Sequence, residues 1–165
     1  IDCLLSIANG CSAHMQSDYT GSLATLDVVQ FLQNQPLPEE LFEPLSARVA
    51  LHLPCSLTNV LCADDGVRDL LNRIPGLETV ELASPRDCCG AAGDHMLTQH
   101  KQAQQLREPF LDELAELQAD YLVSSNVGCA LHLAHGLRQR GDRLVVMHPL
   151  ELLSQQLKQG ASETG

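Results

Sequence analysis

Short apolar runs separated by amphipathic stretches set the pattern of this chain. Five runs rich in Val, Leu and Ile stand out: residues 3–8 (CLLSIA), 48–53 (RVALHL), 78–82 (ETVEL), 120–124 (DYLVS) and 143–147 (RLVVM). They do not alternate cleanly with polar residues. A strand with one wet face alternates, and a strand covered on both faces does not. The runs therefore predict buried strands of a parallel sheet. Helical patterns lie between and after them. One opens at Asp64-Asp65 and stops at Ile74-Pro75-Gly76. A longer one, roughly 95–118, brings Leu97, Ala103, Leu106, Phe110, Leu114 and Leu117 toward one face, and Pro109 is expected to kink or divide it. Residues 130–140 form a third, closed by Gly141, and 149–159 a fourth, with Pro149 in its first turn and Gly160 past its end. Strands alternating with helices predict an α/β fold. It is an open, mostly parallel sheet with flanking helices, built from repeated βα units with right-handed crossovers.

One internal repeat divides the chain. Residues 2–14 read DCLLSIANGCSAH and residues 120–132 read DYLVSSNVGCALH, with Asp, Leu, Ser, Gly, Cys and His coinciding in constant register. A similar apolar segment follows each copy, LDVVQFL at 26–32 and PLELLSQQL at 149–157. Residues 1–32 thus read as the tail of a first repeat and 47–159 as a complete second one. Residues 33–46 (QNQPLPEELFEPLS), with Pro36, Pro38 and Pro44, read as a linker, and 160–165 as a disordered tail. The opening Ile-Asp-Cys without Met is expected of a piece of a longer protein carrying an upstream copy.

Composition narrows the function. A chain of 165 residues can bury one core of its own. The net charge of −11, with no basic stripe, argues against nucleic acid or an anionic membrane surface as partner. No apolar run approaches the ~20 residues of a membrane span, and no signal peptide is visible, so a cytoplasmic location is expected. Seven cysteines, an odd number with two adjacent, do not suit a disulfide framework. A metal site in a reducing compartment is the better expectation.

The cysteines fall at matching places in the pattern. Cys55 follows the strand ending at Leu53, Cys88 and Cys89 follow the strand ending at Leu82, and Cys129 follows the strand ending at Ser125. Parallel strands point one way, so these loops share the carboxyl edge where such sheets bind ligands. Four thiols from three loops are expected to converge, with His148 on the same rim. Gly90 and Gly93 let the backbone approach a bulky group and aim amides at it. Cys129 lies near a helix start, where the dipole favours a thiolate. His132, one turn later, reads as a ligand, a hydrogen-bond donor to a cluster, or a cap. Cys3 and Cys62 read as small buried hydrophobes, Cys11 as either a lost ligand or a bland residue, and His52, His95, His100 and His135 as non-ligands.

Pro54-Cys55, Cys88-Cys89-Gly90 and Gly128-Cys129-x-x-His132 together resemble the cysteine-rich (CCG) domain. That domain occurs, usually as two copies, in the iron–sulfur subunit of glycolate oxidase and in lactate-utilisation iron–sulfur proteins. It also occurs in subunits of anaerobic glycerol-3-phosphate dehydrogenase and of heterodisulfide reductase. The stretches IPGLETVEL, CCGAAG and VMHPLELL look most like the glycolate oxidase type. The resemblance maps Cys55, Cys88, Cys89 and Cys129 onto cluster-binding cysteines. In the heterodisulfide reductase form the motif ends Cys-x-x-Cys and holds a noncubane [4Fe–4S] cluster. Here the last position is His132, which leaves an ordinary four-thiolate 4Fe-4S cluster, a labile cluster or zinc open. The resemblance implies an electron-transfer domain without chemistry of its own. It would take electrons from a flavin-containing oxidoreductase subunit that oxidises a 2-hydroxy acid and pass them toward a membrane-associated acceptor, at the inner membrane through partner subunits. A zinc-binding structural domain and a thiol–disulfide module are the alternatives.

Overall fold

A computed structural model describes residues 2–18, 21, 23–83 and 87–158. The chain opens with β1 (Cys3–Ser6), α1 (Asn9–Asp18), β2 (Ala24–Asp27) and α2 (Val28–Gln33). β3 (Ala47–His52), α3 (Asp64–Leu71), β4 (Leu77–Glu81), α4 (His95–Thr98) and α5 (His100–Leu117) follow, then β5 (Tyr121–Ser124), α6 (Val127–Gln139), β6 (Val145–Met147) and α7 (Pro149–Gln155). β1 and β2 pair in parallel, and the other four strands form a wholly parallel sheet in the order β4-β3-β5-β6.

The two faces of that sheet explain the unbroken apolar runs. Val49, Leu51, Val123 and Met147 pack on one side with Val67, Leu70 and Leu71 of α3 and Leu152 and Leu153 of α7. Ala50 and Leu122 face the other side, against Phe110, Leu111 and Leu114 of α5 and Leu133 and Leu137 of α6. Alternation along each strand is present, but both sets of side chains are buried. Each fully buried Leu, such as Leu70 or Leu122, stabilises the fold by roughly 1.5–3 kcal/mol.

Strand order places the crevice. From β3 the chain steps outward to β4, then crosses back over β3 to β5 and on to β6. The connections after β3 and β5 thus leave in opposite directions. Such a switch point opens a ligand crevice at the carboxyl ends of the two strands.

Several local expectations change. α5 runs unbroken through Pro109, and the break in the 95–118 pattern falls instead at Gln99. The backbone bond that Pro109 cannot donate is offset by the burial of Phe110, Leu111 and Leu114 just beyond it. Leu97 and Leu106 are exposed, and Arg107 takes a place on the buried face. α6 begins at Val127 rather than 130, because Asn126 caps it: its Oδ1 accepts from the amides of Gly128 (3.0 Å) and Cys129 (3.3 Å). α7 ends at Gln155; residue 159 and the 160–165 tail lie outside the described residues. The segment 33–46 packs onto the body. Phe42 is 2% exposed and bridges Leu157, and Arg73 donates to the carbonyls of Gln33 (2.9 Å) and Gln35 (3.2 Å).

Further elements lay outside the sequence pattern. α1 is polar on all sides, β2 is short, and a π-helical turn spans Ser56–Leu61. With α1 and β2 in place, β1-α1-β2-α2 repeats the element order of β5-α6-β6-α7, each with a parallel strand pair.

Candidate metal centre

The four candidate cysteines meet at the switch point. Beyond β3 the chain turns at Pro54 and brings Cys55 to the start of the π-helical turn. The connection after β4 returns as Cys88-Cys89-Gly90, and Cys129 stands in the first turn of α6. A cleft of ≈ 210 Å³ is lined by Cys55, Ser56, Cys88 and Cys129, with Gly10, Ala91, Ala92, Gly93 and Asn126. Cys55 and Cys88 are half-buried at its mouth and hydrogen-bonded to each other. Cys89 and Cys129, both buried, form a second such pair. Among the described residues all seven cysteines are free thiols.

Electrostatics follow from the pairing. The Cys129 thiol donates to the Cys89 sulfur; with help from His52 this outweighs burial and holds Cys89 down to about 4. Cys129, the donor in that bond and itself buried, is pushed far above an ordinary thiol. Burial, then the neighbouring Cys88, pushes Cys55 up. Backbone amides converge on the sulfurs: Ser56 on Cys55, Gly90 on Cys88 at 3.4 Å, and Ala91 on Cys89. Such N–H groups stabilise negative charge on sulfur.

The glycines divide their work. Gly90 has φ +91°, and a Cβ there would lie 2.6 Å from the Ala103 carbonyl oxygen. The close approach that requires glycine is to α5, while the amide serves Cys88. Gly93, at φ +53°, turns the chain in open space beside the cleft.

His52 is the ligand candidate that the sequence pattern did not single out. It ends β3, is 3% exposed, and one of its ring nitrogens lies with the sulfurs of Cys89 and Cys129 in a group spanning no more than 4.8 Å. Nδ1 is 3.0 Å from Ser124 Oγ, and the ring meets Phe110 edge-on at 5.3 Å. Nε2 is buried with no nitrogen or oxygen partner, and the ring interacts with the Cys89 sulfur. A signal was available: His52 has the parity of Ala50, and pairs with Ser124 across the β3–β5 register. That puts it on the face where Cys89 and Cys129 lie.

The other histidines do different things. His132 is buried, but its Nε2 lies 3.1 Å from the Ala103 carbonyl, and it does not belong to the group around Cys89 and Cys129. With Arg107 donating to the His132 carbonyl at 3.0 Å, it latches α6 onto α5. His148 caps α7 by accepting from the Leu150 amide through Nδ1 (3.2 Å), while Nε2 donates to the Ile7 carbonyl (3.1 Å). His95 Nδ1 holds the Gly90 carbonyl at 3.1 Å, bracing the Cys88-Cys89-Gly90 loop. Cys62 is exposed in a left-handed turn, not a buried hydrophobe; Cys3 is half-buried and Cys11 exposed.

The start of α1 supplies part of the wall. Asn9, fully buried, donates to Ser125 Oγ (2.7 Å) and accepts from Ser56 Oγ and Asn126 Nδ2 (both 2.9 Å). It ties together the loops that carry Cys55 and Cys129. No counterpart stands at the matching place in the second copy, so the repeat gave no sign of it.

Residues 49–134 match the family profile of the CCG cysteine-rich domain, a span that begins in β3 and ends in α6. The chain belongs to this family. Lactate utilization protein A of Geobacillus sp. (strain WCH70) is 28% identical over 130 residues, covering 79% of this chain and 55% of that protein. The protein of the same name from Geobacillus kaustophilus is 29% identical, covering 79% and 54%. A subunit of the fumarate reductase (CoM/CoB) of Methanothermobacter marburgensis is 30% identical over 156 residues, covering 92% of this chain and 32% of that relative. The chain spans about half the length of the lactate utilization relatives and about a third of the reductase relative. Among the described residues of this CCG chain, no helix is long and apolar enough to cross a membrane. The donor set of four sulfurs and an imidazole, with amides aimed at sulfur, suits a soft metal or an iron–sulfur group.

Proposed function

We propose that this chain is an iron–sulfur-binding electron-transfer domain of a flavin-linked 2-hydroxy acid oxidoreductase of the glycolate or lactate type. The observation that carries the reading is the convergence of Cys55, Cys88, Cys89 and Cys129 on one cleft at the switch point. The names of the lactate utilization relatives support the substrate class, and IPGLETVEL, CCGAAG and VMHPLELL lean toward the glycolate oxidase type. When bound, a 4Fe-4S cluster, cubane or noncubane, supplies reversible one-electron storage. The chain's residues bind and tune it. The four cysteines anchor it as thiolates, and Ser56, Gly90 and Ala91 offset its charge through their amides. Phe110 and Leu82 keep water from the inner side. The partners would be a flavin-containing subunit and a membrane-associated acceptor, in the cytoplasm at the inner membrane.

Anaerobic reconstitution with ferrous iron and sulfide tests this. The expected result is a brown chain, paramagnetic on reduction, whose signal is lost in Cys88→Ser and Cys89→Ser. A chain that stays metal-free while folded would sink the proposal. The compact grouping of His52, Cys89 and Cys129 also supports a second reading, zinc held in a structural role. Stoichiometric zinc without visible absorption would favour it.

A further inference from the structure

We infer that His52 is a fifth protein donor, its Nε2 ligating the metal that the four cysteines hold. The inference rests on the metal-binding reading above and adds a ligand to it. His52 and Ser124 are register partners on adjacent strands, so the sheet fixes the ring beside Cys89 and Cys129, within a 4.8 Å group. The ring is 3% exposed, Nε2 has no nitrogen or oxygen partner, and the ring's remaining polar contact is with the Cys89 sulfur, itself a candidate ligand. Nδ1, by contrast, is engaged with Ser124 Oγ at 3.0 Å. A ligating imidazole uses one nitrogen on the metal and donates the other N–H to an outer partner, which sets tautomer and ring orientation. In the tautomer whose Nδ1–H donates to Ser124 Oγ, the Nε2 lone pair is free for a metal. His132 is already engaged by the Ala103 carbonyl, so the imidazole donor comes from the end of β3, not from α6.

The test uses the full chain, grown with ¹⁵N-histidine, reconstituted anaerobically with ferrous iron and sulfide, and reduced. Electron–nuclear double resonance should show a strongly coupled histidine nitrogen. That coupling should vanish in His52→Gln and persist in His132→Gln, whose iron content should stay close to the parent. Ser124→Ala should keep the nitrogen but broaden its coupling, as the ring loses its anchor. An iron–sulfur centre that forms with no histidine coupling, or whose coupling survives His52→Gln, overturns the ligand assignment and leaves the electron-transfer reading standing. A chain that takes up no metal overturns both. If zinc loads in place of iron, the iron reading falls. X-ray absorption at the zinc edge then decides the ligand: imidazole scattering lost in His52→Gln upholds it, and an all-sulfur shell overturns it. The parent chain's own spectrum decides the matter even if a variant fails to fold.

Discussion

The same sequence motif has opposite fates at its two occurrences. In α6, Gly128-Cys129-x-x-His132 is buried: Cys129 is 8% exposed and paired with Cys89, and His132 is latched to α5. In α1, Gly10-Cys11-x-x-His14 is on the surface. Cys11 is exposed, and His14 pairs with Asp18 at 3.2 Å. The caps differ too: Asn126 precedes α6, whereas Ala8 precedes α1 and offers only its carbonyl. A cysteine at a helix start is thus a scaffold position. What makes one a candidate ligand is a second loop of thiols and a helix laid across it. Among the described residues, α6 has both and α1 has neither.

That contrast breaks most sharply at the thiols. Cys89→Ser or Cys129→Ser should abolish nearly all iron uptake on reconstitution, whereas Cys11→Ser should leave it unchanged; iron and sulfide assays read the difference. Next comes the covering helix. Gly90→Ala should cost about 3 kcal/mol, combining a left-handed backbone with a clash against Ala103. Gly93→Ala, strained but with open space around it, should cost about 1 kcal/mol. Urea unfolding of the metal-free chain measures both. Exchanging the caps is a smaller perturbation. Asn126→Ala should lose about 1–2 kcal/mol and Ala8→Asn should gain about 0.5–1 kcal/mol, seen as opposite shifts in the urea midpoint.

The smallest effect is acid loosening of the link that His148 makes between α7 and the chain after β1. Burial holds His148 below its usual 6.5, and the bond that Nδ1 accepts from the Leu150 amide needs the neutral ring. Its contribution is therefore complete above pH 6.5. It declines as pH falls toward the lower folded value, because the unfolded chain takes up the proton first. His148→Asn, which keeps a capping side chain, should flatten the stability profile below pH 6.5.

The fold was legible because strands buried on both faces leave unbroken apolar runs, and the convergence of thiols followed from parallel strands ending at one edge. His52 was not, because its role depends on β3–β5 register, a relation between residues 72 positions apart. Asn9 was hidden for the same reason, bonded to residues from 47 to 117 positions away. α1 carries no apolar stripe, so periodicity had nothing to report. Pro109 was overweighted: a local rule about proline yielded to the burial of three side chains beyond it.

The bonds of Asn9 also bear on how such a chain is inherited. The residue that braces the cleft, Asn9, lies outside residues 49–134, the span that matches the family. A recombination that kept residues 47 onward and replaced what precedes them would preserve every candidate ligand and still leave Ser56 and Asn126 without their common partner. Asn9, Ser56 and Asn126 are therefore expected to pass between lineages together, and to drift as a set.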